Sequence, residues 1–170
     1  MSQAPRLDYE DRRQKALAFF DTAYRTQKRG ELSRAEELYR RAVALYPTAE
    51  SFTFLGWALS LQGRLEEAIE CCRRAIELDP DYGNPYNDLG AYLIELGRPD
   101  EAVPFLKKAI AAPRYECYYY AHYNLGRVWE LRGRWREAAR QYGLSLEKNP
   151  YFQLARHALE RVTRRLSLDR

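Results

Sequence analysis

The chain is poor in the residues and motifs that most catalytic and metal sites require. Its 170 residues include two histidines, one methionine and three cysteines. It has no His-Glu-x-x-His motif, no Cys-x-x-Cys pair and no glycine-rich phosphate loop. The sequence therefore predicts no metal site, no cofactor, no small-molecule substrate and no enzymatic activity.

Long apolar runs and a paired set of cysteines are also missing. The longest central stretch without a charged residue, 51–63, is far shorter than the about 20 apolar residues that cross a membrane. Residues 1–14 carry charges of both signs and no apolar core, unlike a secretory signal. An odd number of cysteines, two of them adjacent at Cys71 and Cys72, does not suit a disulfide framework. We therefore expect a cytoplasmic protein with no transmembrane segment.

What the sequence does contain is one helical hairpin pattern written four times. Four glycines recur at intervals of 33, 34 and 36 residues, and an alanine follows each glycine five residues later. A repeat of this period predicts stacked helix pairs. The glycine ends the first helix, and the alanine lets the second helix pack closely against the first. The pairs are Gly30 with Ala35, Gly63 with Ala68, Gly97 with Ala102, and Gly133 with Ala138.

Further positions of the pattern resemble the tetratricopeptide repeat family. The first unit departs from the family at Thr22-Ala23, where Leu-Gly is preferred. The resemblance implies an all-α fold, a right-handed α-solenoid of four helical hairpins with a C-terminal capping helix. Family members are mostly scaffolds and adaptors that hold peptides or other proteins. The matching residues include Phe52, Leu55-Gly56, Leu59, Cys72, Ala75 and Pro80; Tyr86, Leu89-Gly90, Leu93, Leu106 and Ala109; and Leu125-Gly126, Trp129, Tyr142 and Pro150.

The pattern also predicts the boundaries of the units. First helices are expected near 8–28, 50–62, 84–96 and 116–132, and second helices near 31–46, 65–78, 99–111 and 135–148. Residues 151–167 carry one apolar stripe at steps of three and four, which is typical of a polar-faced terminal helix. The predicted organisation is an N-terminal extension (1–15), four repeats (16–48, 49–82, 83–118, 119–150) and a capping helix with a basic tail (151–170).

The predicted binding surface is the groove formed by first-helix residues that point away from the partner helix. Large aromatic side chains at such positions anchor partners, and asparagine amides can bond the main chain of an extended peptide. The competing interpretation is that some of these side chains only pack within the chain. The candidate partner-binding residues are Tyr24, Trp57, Asn84, Asn87, Tyr120, Tyr123, Asn124 and Arg127.

One partner class known in the family does not fit this groove. Some members grip the C-terminal carboxylates of heat-shock chaperones with Lys, Arg and Asn side chains. The corresponding positions in this chain are Phe20, Tyr24, Phe54, Asn84 and Asp88, so that clamp is missing. The groove instead favours an apolar or aromatic-containing segment, extended or helical.

Charge distribution leaves alternatives open. Residues 1–112 have a net charge of −2 and residues 113–170 a net charge of +6. Our main prediction is a non-catalytic scaffold or adaptor that binds a peptide or protein segment in the groove. The alternatives are a basic C-terminal surface that binds an acidic protein, nucleic acid or anionic membrane, or a secretion-type bacterial chaperone of similar size and fold. Nucleic acid is the less favoured partner, and self-association is left open.

Overall fold

The computed structural model describes residues 8–168, and within this range the chain forms nine α-helices and no β-strand. The predicted extension and tail therefore lie partly outside the described residues, at 1–7 and 169–170. The helix bounds agree with the predicted ones to within two residues. They are α1 (Tyr9–Lys28), α2 (Leu32–Leu45), α3 (Ala49–Ser60), α4 (Leu65–Leu78), α5 (Gly83–Glu95), α6 (Pro99–Ala111), α7 (Tyr118–Leu131), α8 (Trp135–Lys148) and α9 (Gln153–Leu168).

Local chemistry explains several of these helix ends. The side chain of Asp8 accepts a hydrogen bond from the Asp11 amide at 2.8 Å and so caps α1. Thr48 Oγ1 caps α3 in the same way, accepting from the Ser51 amide at 3.0 Å. Each first helix of a hairpin is followed by a glycine with φ between 68° and 82°, a conformation that costs other residues a steric clash. The predicted role of these glycines is confirmed.

The chain divides into two compact units, and the first contains α1–α4 and ends at Leu78. Helices α1 and α2 form one antiparallel hairpin, and α3 and α4 form the next. Ala35 and Ala68 are fully buried where the helices of each pair meet. Across the two hairpins, Arg64 Nη1 donates to the Glu36 carboxylate at 2.8 Å.

The second unit starts at Asp79 and contains α5–α9. Its hairpins are α5 with α6 and α7 with α8, and α9 packs on α8. Ala158 and Val162 of α9 are buried against Ala138 and Tyr142 of α8. The terminal helix therefore covers the apolar side of the last hairpin, which confirms the predicted cap.

The irregular connection between α6 and α7 is fastened to the start of α5. The Gly83 amide donates to the Arg114 carbonyl at 3.0 Å, and the Arg114 amide donates to the Asp81 carbonyl at 3.1 Å. The Arg114 guanidinium lies 4.2 Å from the centre of the Tyr82 ring and bonds the Asp79 carboxylate. These contacts hold Arg114 of the connection against the start of α5.

Candidate functional site

In the first unit, Tyr24 and Trp57 belong to one aromatic cluster on α1 and α3. The ring of Phe54 lies at its centre, 5.6 Å from Tyr24, 5.9 Å from Trp57 and 5.1 Å from Phe20, with the rings edge to face. Trp57 is 40% exposed, and Tyr24 is half-buried beneath the Lys28 ammonium, 4.7 Å from its ring centre. The cluster therefore offers open aromatic surface on a packed base.

A cleft of about 580 Å³ lies beside this cluster, between the N-terminal half of α1 and the start of α3. Leu17, Phe20 and Phe54 form its apolar wall. Leu17 is 60% exposed. This exposure does not fit the competing interpretation, in which such side chains only pack within the chain. The face formed by α1 and α3 is therefore apolar and open in this unit.

In the second unit, Asn87, Asn124 and Arg127 meet in a hydrogen-bonded series that we call the amide ladder, with Asp88 at its far end. Arg127 Nη1 donates to Asn124 Oδ1 at 3.1 Å, and Asn124 Nδ2 donates to Asn87 Oδ1 at 3.0 Å. Asn87 Nδ2 in turn donates to Asp88 Oδ1 at 3.2 Å. The ladder joins α5 to α7 across the first helices of two hairpins.

The chemistry of Arg127 fixes the direction of every bond in the ladder. A guanidinium has donors and no acceptor, so each amide oxygen must face Arg127 and each amide nitrogen must face Asp88. Every asparagine then keeps one N–H and one oxygen lone pair unused by the ladder. A peptide main chain carries the same pair of groups on each residue. Asn87 and Asn124 themselves are only 8% and 5% exposed.

Tyr120 and Tyr123 are placed differently from the open anchors that the sequence predicted. Phe152, from the turn before α9, lies with its ring centre 5.0 Å from Tyr120 and 5.3 Å from Tyr123. Tyr119 completes the cluster at 5.0 Å from Phe152. Tyr120 keeps 40% of its surface exposed and Tyr123 is half-buried, so the chain itself covers part of this aromatic surface.

Asn84 does not join the ladder. It lines a separate cleft with the α6–α7 connection, next to Tyr115 and Cys117.

His122, one of the two histidines of the chain, is 9% exposed and its Nδ1 bonds Gln141 Oε1 at 3.0 Å. It is therefore a packed histidine.

The ladder ends on a carboxyl group with a perturbed pKa. Burial raises the pKa of Asp88 to about 7, against the opposing effect of the bond from Asn87. Burial, and after it the charge of Asp88, raises the pKa of the Tyr115 phenol. The Tyr115 hydroxyl is buried and has no hydrogen-bond partner among residues 8–168.

No group of three or more His, Cys, Asp or Glu side chains among residues 8–168 is arranged to hold a metal ion. None of the helices described is both long and apolar enough to traverse a bilayer.

Comparison with known proteins agrees with the repeat pattern. Tetratricopeptide repeat models match residues 49–82, 71–103 and 119–143. The chain belongs to the tetratricopeptide repeat family. Proteins of this family act as protein–protein interaction scaffolds, and their fold is typically non-catalytic.

A curated relative and two solved structures are similar to parts or most of the chain. The TPR repeat-containing thioredoxin TTL4 of Arabidopsis thaliana is 33% identical over 76 residues, which is 44% of this chain and 11% of that protein. The chain thus spans about a tenth of that relative's length. The structure of pilF from Pseudomonas aeruginosa has a TM-score of 0.85 at 21% identity, covering 92% of this chain and 71% of that one. The first tetratricopeptide domain of Spaghetti (RPAP3), bound to an HSP90 peptide, has a TM-score of 0.65 at 23% identity, covering 70% and 93%. These likenesses show the α-solenoid fold class.

Sequence reasoning missed three residues that shape these faces. In the repeat pattern, Phe54 and Asp88 are noted only as positions where the basic clamp is missing. In the structure, Phe54 is the centre of the aromatic cluster and Asp88 ends the amide ladder. The apolar stripe assigns Phe152 to the cap alone. Its position shortly after Pro150 at the end of the last repeat was the available signal, because the chain must turn there towards the first-helix side.

Proposed function

We propose that this tetratricopeptide repeat protein is a non-catalytic scaffold whose first-helix faces bind an extended protein segment. The observation that carries the proposal is the amide ladder, in which Asn87 and Asn124 each keep one N–H and one oxygen lone pair outside the ladder bonds, with the half-buried Arg127 at one end. In the first unit, the Tyr24, Phe54 and Trp57 cluster supplies apolar contact area of the kind that anchors partners.

The peptide-bound relative supports this class of function. The Spaghetti (RPAP3) domain binds an HSP90 peptide. This chain lacks the basic clamp at Phe20, Phe54 and Asp88, so we propose a different segment as its partner.

The basic C-terminal surface is the second candidate, and many of its arginines have partners within the chain. Arg132 bonds Asp100, Arg134 bonds Glu137 and Arg161 bonds Glu130. The Arg165 guanidinium lies 5.9 Å from the centre of the Trp135 ring. This partnering favours local helix stabilisation over binding of a polyanion. The basic C-terminal surface also includes Arg136, Arg140, Arg156 and Arg164.

Peptide selection followed by calorimetry tests the proposal. A random peptide library is panned against the full chain, and the affinity of selected peptides is measured for the wild type and for the double variant Asn87→Ala with Asn124→Ala. Loss of two hydrogen bonds to the peptide main chain, at about 0.5–1.5 kcal/mol each, should weaken binding about ten-fold.

The matched control changes Arg140, Arg156 and Arg164 to Gln and should leave binding intact. Affinity of the wild type should also fall only modestly between about 50 and 200 mM salt. If the arginine variant abolishes binding with a steep salt dependence while the asparagine variant binds normally, the basic surface replaces the ladder as the binding site.

A further inference from the structure

The apolar cleft of the first unit has an exposed leucine in its wall. Leu17 of α1 keeps 60% of its surface exposed, and Phe20 and Phe54 line the cleft beside it. Helices α2 and α3 are the only ones that contact α1 among residues 8–168, and they leave Leu17 open. Apolar side chains in contact with water favour burial against another apolar surface, in proportion to the area covered.

The charges on either side of Leu17 are of opposite sign and equally spaced from it. Arg13 lies four residues before Leu17 and Asp21 four residues after it, and both side chains are exposed. Residues four apart form one ridge along a helix, so these three share a face of α1.

Neither of these two charges has a strong partner within the described chain. Among residues 8–168 Asp21 forms no ion pair, and Arg13 reaches only Glu10, at 3.8 Å between exposed side chains. An exposed ion pair contributes little to stability. The Arg13 and Asp21 side chains can therefore pair with charges outside the chain at small cost.

A second copy of the chain matches this face when the two α1 helices run antiparallel. With Leu17 on the two-fold axis, Arg13 of each copy lies beside Asp21 of the other, and the two Leu17 side chains meet. Ridges of residues four apart from two helices pack together at about −50°, the commonest crossing of helices in globular proteins. A parallel arrangement would instead bring like charges together.

We propose that α1 is a self-association surface, through which two copies of this chain form an antiparallel dimer centred on Leu17. Each copy covers the apolar cleft of the other, and the two Arg13–Asp21 pairs set the direction and register of the helices. A two-fold axis uses each charge in both copies, which is why equal spacing about Leu17 favours a second copy over an unrelated partner. The inference is independent of the proposed function, whose amide ladder lies in the second unit.

Sedimentation equilibrium of the full chain over about 10–500 µM tests for the dimer. The wild type should show a reversible monomer–dimer equilibrium, and its dissociation constant should rise with salt because the flanking pairs are exposed. Leu17→Ser removes the apolar centre and should raise the dissociation constant by about ten-fold or more.

Charge reversals test the antiparallel register. Arg13→Glu and Asp21→Arg each replace two attractive contacts by two repulsive ones, and each should raise the dissociation constant by about ten-fold or more. An equimolar mixture of these two variants should form a 1:1 heterodimer, because both contacts then join opposite charges. The double variant Arg13→Glu with Asp21→Arg should regain the wild-type dimer. The matched control, Arg12→Glu, reverses an exposed charge on another side of α1 and should leave the dissociation constant unchanged.

Each outcome decides for or against the Leu17-centred dimer. A wild type that stays monomeric over the whole concentration range overturns the inference. A dimer that persists in Leu17→Ser and in both single reversals is formed by another surface, and a mixture that fails to associate excludes the antiparallel register. Circular dichroism checks that every variant keeps its helices. Because the measurement contains no peptide, failure of the proposed function leaves this result unchanged.

Discussion

At the scale of single residues, the side chains that distinguish this protein are polar groups fixed by their neighbours. Asn87 and Asn124 are held in one orientation because Arg127 can only donate. Asp88 receives the last bond of the ladder, and burial raises its pKa to about 7. The protonation of one half-buried carboxyl is thereby connected to the amides that we propose bind a partner.

The raised pKa of Asp88 predicts a pH dependence of stability. An aspartate whose pKa is higher in the folded than in the unfolded chain binds more protons when folded, so the free energy of unfolding falls as the pH rises from about 4 to 7. Asp88→Asn keeps an acceptor for Asn87 but cannot ionise. Between about pH 4 and 7, we expect the free energy of unfolding of the wild type to fall by about 1–3 kcal/mol relative to that of Asp88→Asn.

Urea denaturation of both chains at several pH values checks this prediction. Carboxylates with lowered pKa values, such as Glu130, act in the opposite direction but are common to both chains, so the difference isolates Asp88. Parallel pH profiles for the two chains would show that Asp88 ionises normally in the folded protein.

At the scale of helices, the hairpins depend on glycines that let paired helices approach closely. A Cβ atom placed on Gly90 of α5 would lie 2.6 Å from the Cδ2 and Cγ atoms of Leu106, which is fully buried in α6. Leu106 could withdraw only by displacing its own neighbours in the core. The same glycine position was identified from the sequence pattern, and the structure supplies the atoms that make it necessary.

Two glycine-to-alanine changes should therefore have opposite effects on stability. Gly90→Ala should cost about 1–3 kcal/mol through overpacking. Gly143 lies inside α8, and a Cβ atom added there would meet no atom within 4 Å, so Gly143→Ala should gain about 0.5–1 kcal/mol from helix propensity. The urea midpoint of each variant measures its stability. An equal rise in the two midpoints would show that α5 and α6 are not in close contact at Gly90.

For the molecule as a whole, each compact unit has its own core, and the second has a cap as well. The hairpins of the second unit contact their neighbours in sequence, and α9 covers Ala138 and Tyr142. Arrays of this kind derive their stability from individual repeats and from contacts between adjacent repeats. The second unit is therefore a candidate for independent folding.

Two fragments test this prediction. Residues 79–170 should fold alone, giving helical circular dichroism and a cooperative urea transition. Residues 79–150 lack Phe152 and Val162 and should be several kcal/mol less stable, at about 1.5–3 kcal/mol for each large apolar side chain exposed. Equal midpoints for the two fragments would mean that α9 does not act as a cap.

The helices, their pairing and the family follow from the amino-acid sequence alone. The spacing of Gly30, Gly63, Gly97 and Gly133 and the small residues that follow them are local features, and helical hairpins form from contacts between residues close in the chain. The same periodicity placed the candidate residues on the first helices. These positions could be predicted because a helix fixes which residues share a face.

Which of those side chains meet is a property of the tertiary packing. Asn124 bonds Asn87 from 37 residues away, and Phe152 packs on Tyr120 across the end of a hairpin. Helical periodicity specifies the direction of a side chain but not the distance between two helices or the rotamer that fills the gap. The amide ladder and the covered tyrosines depend on those distances, so they appear only when neighbouring hairpins are packed together.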